Sequence, residues 1–293
     1  VTGAAILTTP ELRLPLRRSQ QSVTVDIGDI PILLQPNDPK FCEVLEDRYA
    51  GFLNPDSRPA CQFEIQLDPK GRPSDEDARV TRQGTLWSFQ RGDFRATWDA
   101  RAGRGHIRQC PNPYSIDTVL RITHSLILAE EGGFLVHAAS AIRNERAYLF
   151  AGVSGAGKTT MARLAPPDAT VLTDEISYVR RVRPVGAWLQ PGVTQHPNHK
   201  AYGTPFAGEL ARVGANTSAP LETLYLLVQG PENRISPVLK IDAARALMRH
   251  VLFFAEEKEM VARVFDSVLE FVSHIEVAQL VFTPDARAWE LIR

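Results

Sequence analysis

The stretch Ala147-Tyr-Leu-Phe-Ala151, followed by Gly152-Val-Ser154-Gly155-Ala156-Gly157-Lys158-Thr159-Thr160, decides how this chain is read. Its second part fits the pattern G-x-x-x-x-G-K-[ST], and its first part leads into the loop like a buried strand. The spacing has a chemical reason. Residues with little side-chain bulk let successive backbone N–H groups wrap phosphate oxygens, while the helix that follows aims its positive end at them. Gly152, Ser154, Gly155, Ala156, Gly157, Lys158, Thr159 and Thr160 are therefore the candidates for holding a nucleotide. Lys158 is placed to reach the outer phosphates and Thr159 to ligate Mg2+.

Outward from the loop, a helix is expected over residues 157–165, ended by Pro166-Pro167. Residues 169–173 form the next short strand, with Asp174-Glu175 at its carboxyl end, where ligands sit in an open α/β sheet. Upstream, residues 134–142 are a near-continuous apolar run, and a turn at Arg143-Asn144-Glu145 sends the chain back towards the loop. Ser115 is read as the N-cap of a helix carrying Leu120, Ile122, Leu126 and Leu128, which should stop near Gly132-Gly133. Downstream come a strand at 221–228, a helix at 242–254, and a longer amphipathic helix with Val261, Val264, Phe265, Val268, Val272 and Ile275 on one face. A final strand at 277–282 and a terminal helix at 286–292 complete this half.

The first third is β-rich. Ser22-Val-Thr-Val-Asp-Ile and Cys61-Gln-Phe-Glu-Ile-Gln-Leu alternate apolar and polar residues, and Arg91-Gly-Asp reads as the hairpin joining Thr85-Leu-Trp-Ser-Phe to Phe94-Arg-Ala-Thr-Trp98. The run Asp68-Pro-Lys-Gly-Arg-Pro-Ser-Asp has loop chemistry. Two prolines bracket an asparagine at Pro111-Asn-Pro113, and the boundary between a β-rich domain at 1–112 and a second domain at 113–293 is placed there.

Composition narrows the class. The chain has 293 residues, with 33 Lys+Arg against 34 Asp+Glu, so no general nucleic-acid footprint and no surface drawn to anionic lipid is expected. Cys42, Cys61 and Cys110 are too few and too scattered for a disulfide framework and suit a reducing compartment. The opening Val-Thr-Gly-Ala-Ala-Ile-Leu-Thr-Thr-Pro lacks a basic region, and no stretch reaches the ~18 apolar residues a membrane helix needs. A cytoplasmic protein is expected, although a chain that opens on Val1 leaves its natural start undecided.

Two features near the loop carry chemistry. Asp174-Glu175 are paired carboxylates where phosphoryl transfer needs a base or a second metal anchor, although a solvated turn would use them too. His137 stands inside an apolar strand, where a histidine is either a satisfied core residue or part of a site. Glu209 competes between a metal or substrate contact and a cap for a helix beginning at Leu210. Arg180, Arg181 and Arg183 read as a strand edge or as an anion contact. His196 and His199 have metal-like spacing, but Pro197 breaks the helix that would align them, so no zinc is assigned.

Gly133-Phe-Leu-Val-His137-Ala-Ala, the phosphate loop and Leu172-Thr-Asp174-Glu175 together resemble the nucleotide-binding core of the HPr kinase/phosphorylase family, over about residues 115–180. The resemblance implies an α/β fold, a P-loop kinase core of the HPr kinase and phosphoenolpyruvate carboxykinase type, behind a β-rich N-terminal domain. It implies that Asp174 takes the proton from an attacking hydroxyl, that Glu175 and Thr159 hold Mg2+, and that His137 orients the acidic pair. The loop ends Gly-Lys-Thr-Thr where the bifunctional family has Gly-Lys-Ser-Glu, and the acidic pair is Asp-Glu where that family has Asp-Asp, so phosphorolysis is not implied. Tyr202-Gly-Thr-Pro-Phe-Ala-Gly-Glu209 stands where the family's substrate signature would be, which argues against HPr as substrate. The expectation is an ATP- and Mg2+-dependent kinase acting on a serine hydroxyl of a protein or peptide, with Asp174, His137 and Lys158 catalytic and Thr159, Glu175 and Glu209 at the metal. The resemblance leaves a homo-oligomer open. The alternatives are a nucleotide-gated ATPase or binding protein without a phosphoacceptor, and a small-molecule kinase.

Overall fold

Alternation of apolar and polar side chains builds the first sheet. The computed structural model describes residues 22–72, 74, 76–182, 198–210 and 213–292. Strand β1 (Val23–Ile27) turns through Gly28 and Asp29, both at positive φ, into β2 (Ile30–Pro36). Helix α1 (Pro39–Arg48), capped by Asp38, crosses over to β3 (Cys61–Leu67), parallel to β2. Strands β4 (Arg79–Gln83), β5 (Leu86–Arg91), β6 (Phe94–Asp99) and β7 (Arg104–Gln109) run antiparallel in sequence, and β7 then lies parallel to β3. The order is β1-β2-β3-β7-β6-β5-β4.

Helix α2 (Pro113–Glu131) follows, and Gly132 closes it in the left-handed conformation at φ 85. Its cap is Asn112, not Ser115: Pro113 suits the first helical position, so the helix starts three residues early and the Ser115 hydroxyl donates instead to Asp93 at 2.7 Å. α2 is buried almost all round. Its Ile116, Val119, Leu120 and Leu126 share one core cluster with Phe63, Trp87 and Phe89 of the first sheet and with Leu135, Ile176 and Tyr178 beyond it.

The second half contributes β8 (Phe134–Arg143), β9 (Arg146–Ala151), α3 (Lys158–Arg163), β10 (Thr170–Thr173), β11 (Ile176–Val182), β12 (Asn198–Tyr202) and β13 (Ser218–Gln229). It ends with β14 (Arg234–Pro237), α4 (Lys240–Met248), β15 (Val251–Leu252), α5 (Lys258–His274) and β16 (Glu276–Phe282). Strand β8 pairs β9, β9 pairs β13, β13 pairs β12, β12 pairs β11, and β11 returns to β8. Five strands thus close into a barrel. Outside the ring, β16 lies parallel to β13, β14 edges β16, and β10 and β15 pair β8.

This corrects the expected fold class. The chain is β-rich with a closed five-stranded barrel and does not form a P-loop α/β kinase core. The apolar run at 134–142 is buried on both sides because it is a barrel wall and not a strand of an open parallel sheet. Phe134, Val136 and Ala138 face the cluster under α4 and α5, whereas Ala139 and Ala141 face the one under α3. Smaller departures follow from local causes. The expected helix at 242–254 ends at Met248, and Val251-Leu252 pair with β8. The terminal segment Ala286–Leu291 is a 3-10 turn pair. Among the described residues, no helix is long and apolar enough to cross a membrane.

Candidate functional site

Strand β9 delivers the glycine-rich loop beside the carboxyl ends of β13 and β16, both parallel to it or to its neighbour. Gly155 and Gly157 take φ of 76 and 108, values that favour glycine, and a Cβ on Gly157 would collide with the Phe282 ring at the end of β16. Gln229, at the end of β13, donates its side-chain amide to the Gly155 carbonyl at 2.8 Å. Within the loop, Ala156 N–H donates to Val153 O at 3.0 Å. The N–H groups of Ser154, Gly155 and Gly157 have no acceptor among the described residues. These unspent amides form a cradle of the kind that takes phosphate oxygens.

Lys158 is buried and folds back on the loop, donating Nζ to the carbonyls of Gly152 at 3.1 Å and Val153 at 3.4 Å. Burial lowers its pKa, and the charges of Glu175 and Glu209 oppose that shift. Trp289 holds α3 in place by donating its indole N–H to Met161 O at 3.0 Å. Thr159 and Thr160, in the first turn of α3, are partly exposed.

The acidic pair lies in a break between two strands. Register shows that β10 and β11 both run antiparallel to β8, with Thr173 opposite Ser140 and Ile176 opposite His137. At the break, the Thr173 hydroxyl accepts the amides of Glu175 and Ile176 at 3.1 and 3.3 Å. The two carboxylates then diverge in role. Buried Asp174 accepts Gly208 N–H at 2.9 Å on one oxygen and Leu210 N–H at 3.0 Å on the other, so it fastens the 208–210 turn. Glu175 is about one-third exposed and meets His137, with Oε1 3.4 Å from Nδ1. Burial lowers the His137 pKa; Glu175 opposes this shift, while the cations Lys158 and Arg121 reinforce it.

Of the sequence candidates, the structure brings Lys158, His137, Glu175 and Glu209 into one electrostatic neighbourhood and sets Asp174 at its edge as an anchor. Glu209 and Leu210 lie in a turn, and the next two residues lie outside the described ones. Arg180 bonds Gly28 O at 2.9 Å and Glu131 at 2.8 Å, and Arg181 bonds Glu270 at 2.7 Å, so both are engaged within the chain. Arg183, His196 and the opening ten residues lie outside the described residues. His199 is buried with its ring edge-on to Phe271.

Two site residues carry no sequence signal. His250 accepts His137 N–H on its carbonyl at 2.7 Å, and burial, then Lys158 and His137, lower its pKa. Arg121 on α2 lies over the Phe206 ring at 4.8 Å, and the charge of Glu175 acts on it. A lone arginine in a helix reads as a solvated face, and only the fold shows that this one points inward.

Among the described residues, no three His, Cys, Asp or Glu side chains converge as a cage for a metal. Thr159, Glu175 and Glu209 are oxygen donors of the kind Mg2+ takes, an ion that needs only one or two carboxylates and fills its shell with water and substrate phosphates. No curated protein matches the chain. A family model described as SynChlorMet cassette protein ScmC matches residues 115–293 of the 293, from α2 through the loop and the barrel to the end. That match corrects the HPr kinase/phosphorylase resemblance: ScmC is an unrelated family, and no HPr kinase family model matches. The resemblance rested on a histidine, a phosphate loop and an acidic pair, a set short enough to recur without common descent. The chain belongs to the SynChlorMet cassette protein ScmC family.

Proposed function

We propose that the protein is an ATP- and Mg2+-dependent phosphotransferase that moves the γ-phosphoryl group to a hydroxyl, a serine of a protein or peptide. The observation that carries this reading is the juxtaposition of a loop with unspent amides and a buried lysine with the His137–Glu175 pair, which opens to solvent. Phosphoryl transfer asks the protein mainly for positioning and charge, which the loop amides and Lys158 supply. Glu175, oriented by His137, is the better placed carboxylate to accept the hydroxyl proton, because both Asp174 oxygens already take backbone amides. Thr159 and Glu209 would hold Mg2+, whose chemistry here is neutralising charge on the phosphates. ATP as donor and three free, buried cysteines fit a cytoplasmic setting.

The test is label transfer from γ-labelled ATP to serine-containing peptides. Wild-type protein should label peptide, Lys158→Ala should label none, and Glu175→Gln should lose about 100-fold or more in turnover while still binding ATP. Asp174→Asn, which loosens the 208–210 turn, should act mainly on KM for the peptide. Label found only as free phosphate would replace this reading with that of a nucleotide-driven switch, and label in a low-mass product would replace it with a small-molecule kinase.

A further inference from the structure

A charged group with nothing to bind is the feature that the phosphotransfer reading leaves over. Arg121 projects from the middle of α2 and is partly buried, with a buried Nε that has no hydrogen-bond partner among the described residues. It makes no ion pair among the described residues. Its two acidic neighbours are committed elsewhere: Asp117, one turn earlier, binds Arg48 and the Tyr49 hydroxyl, and Glu175 faces His137. A largely buried guanidinium without an anion leaves its desolvation cost uncompensated, and a bound ligand anion would offset it. Its planar fork suits a carboxylate or a phosphate better than a lysine would.

The surroundings indicate which ligand. The guanidinium rests on Phe206, in the segment 203–208 that Asp174 fastens at Gly208, and Gly208 packs against Glu175. The charge of Lys158 acts on the His137–Glu175 pair from the phosphate loop, and that of Arg121 acts on it from α2. The two cations thus flank the pair from different elements, and a nucleotide held by the phosphate loop would occupy Lys158 and leave Arg121 free.

We propose that Arg121 is the specificity residue of the acceptor half of the site, binding a carboxylate beside the hydroxyl to be phosphorylated, so that the acceptor is an acidic peptide segment. This rests on the phosphotransferase reading. Phe206 supplies the flat apolar floor that holds the guanidinium at one angle, and the open His137–Glu175 pair receives the hydroxyl.

The experiment uses the full chain, γ-labelled ATP and three randomised peptide libraries, in which a central serine is flanked by Glu, by Gln or by Lys. Wild-type protein should label the Glu library at least about 10-fold faster than the Gln library. Arg121→Gln should erase that ratio while titration with a fluorescent ATP analogue stays unchanged. Arg121→Lys should keep part of the ratio, and Arg121→Glu should move the preference to the Lys library, a gain that misfolding cannot produce. Equal labelling of Glu and Gln libraries by wild type, or a Glu preference that survives Arg121→Gln, would overturn the proposal and leave the phosphotransferase reading standing. An equal fall on both libraries in Arg121→Gln would assign the residue to the transferred phosphate and overturn it likewise. ATP binding without label in any library would bring down both together.

Discussion

At the scale of single residues, His199 shows how a buried titratable group sets pH dependence without any role in the site. It sits in β12 with both ring nitrogens unpartnered among the described residues, and burial holds its pKa down to about 4, with Glu270 opposing only in part. The folded state keeps the ring neutral below the ordinary value of 6.5, whereas the unfolded chain takes up the proton. Stability is therefore unaffected above pH 6.5 and is lost as pH falls from there towards 4. At about 1.4 kcal/mol per pKa unit, this one ring accounts for on the order of 3 kcal/mol over the window. His124, held at about 3 by the same burial, adds to the slope. His199→Leu removes two unsatisfied polar atoms, so it should leave stability at pH 7 equal or higher and flatten the decline on acidification. Urea unfolding of wild type and variant at pH 7, 5.5 and 4.5 checks this, and parallel declines would refute it.

Between elements, α1 and α2 are tied by a buried polar triad in place of apolar packing alone. Asp117 on α2 receives a two-pronged bond from Arg48 and a 2.6 Å bond from the Tyr49 hydroxyl, and Arg48 also lies over the Tyr114 ring at 4.5 Å. Asp117 accounts for the raised pKa of Arg48, against the opposing effect of burial, and together with burial it raises that of Tyr49. Asp117→Ala strands a guanidinium and a phenol at once and should cost about 3–5 kcal/mol. Replacing all three, as Arg48→Met, Tyr49→Phe and Asp117→Leu, should cost far less, because nothing polar is left unpaired. Thermal melts of the single and triple variants decide it; a triple variant as unstable as the single one would show that the geometry of α1, not the charge, is at stake. The triad also marks where sequence reading ends. The loop, His137 and the acidic pair were legible because their chemistry demands fixed residue types at short spacing. Strands β9, β13 and β16 were legible as apolar runs. Closure of the barrel was not, because it depends on β8 meeting β11 and β9 meeting β13, pairings that no local period encodes. Strand β11 looked like a solvated edge because Arg180 and Arg181 end it, and both turn out to find partners within the chain. The separate fates of Asp174 and Glu175 come from a strand break that pairing with β8 creates, so adjacent carboxylates could not be told apart beforehand.

For the molecule as a whole, the question is whether the first sheet and the barrel are independent, and α2 decides it. The family match begins within this helix and leaves the first sheet out. Yet Ile116, Val119, Leu120 and Leu126 are fully or almost fully buried in a cluster that holds Phe63, Trp87 and Phe89 from the first sheet and Ile176 and Tyr178 from the barrel. Each such side chain stabilises by about 1.5–3 kcal/mol when buried. Four of them uncovered together would remove most of the ~5–15 kcal/mol that holds an ordinary domain folded. The intact chain should therefore unfold in one cooperative transition, with near-ultraviolet circular dichroism and intrinsic fluorescence tracing the same midpoint. A fragment of residues 113–293 should keep secondary structure but bind 8-anilinonaphthalene-1-sulfonate strongly, lose its sharp melt and lose affinity for ATP, because α2 would lack one of its two walls and Arg121 and His137 their fixed positions. Two separated transitions in the intact chain, or a fragment that melts sharply and binds nucleotide as the whole chain does, would show that the barrel stands alone and that α2 needs only one of its two partners.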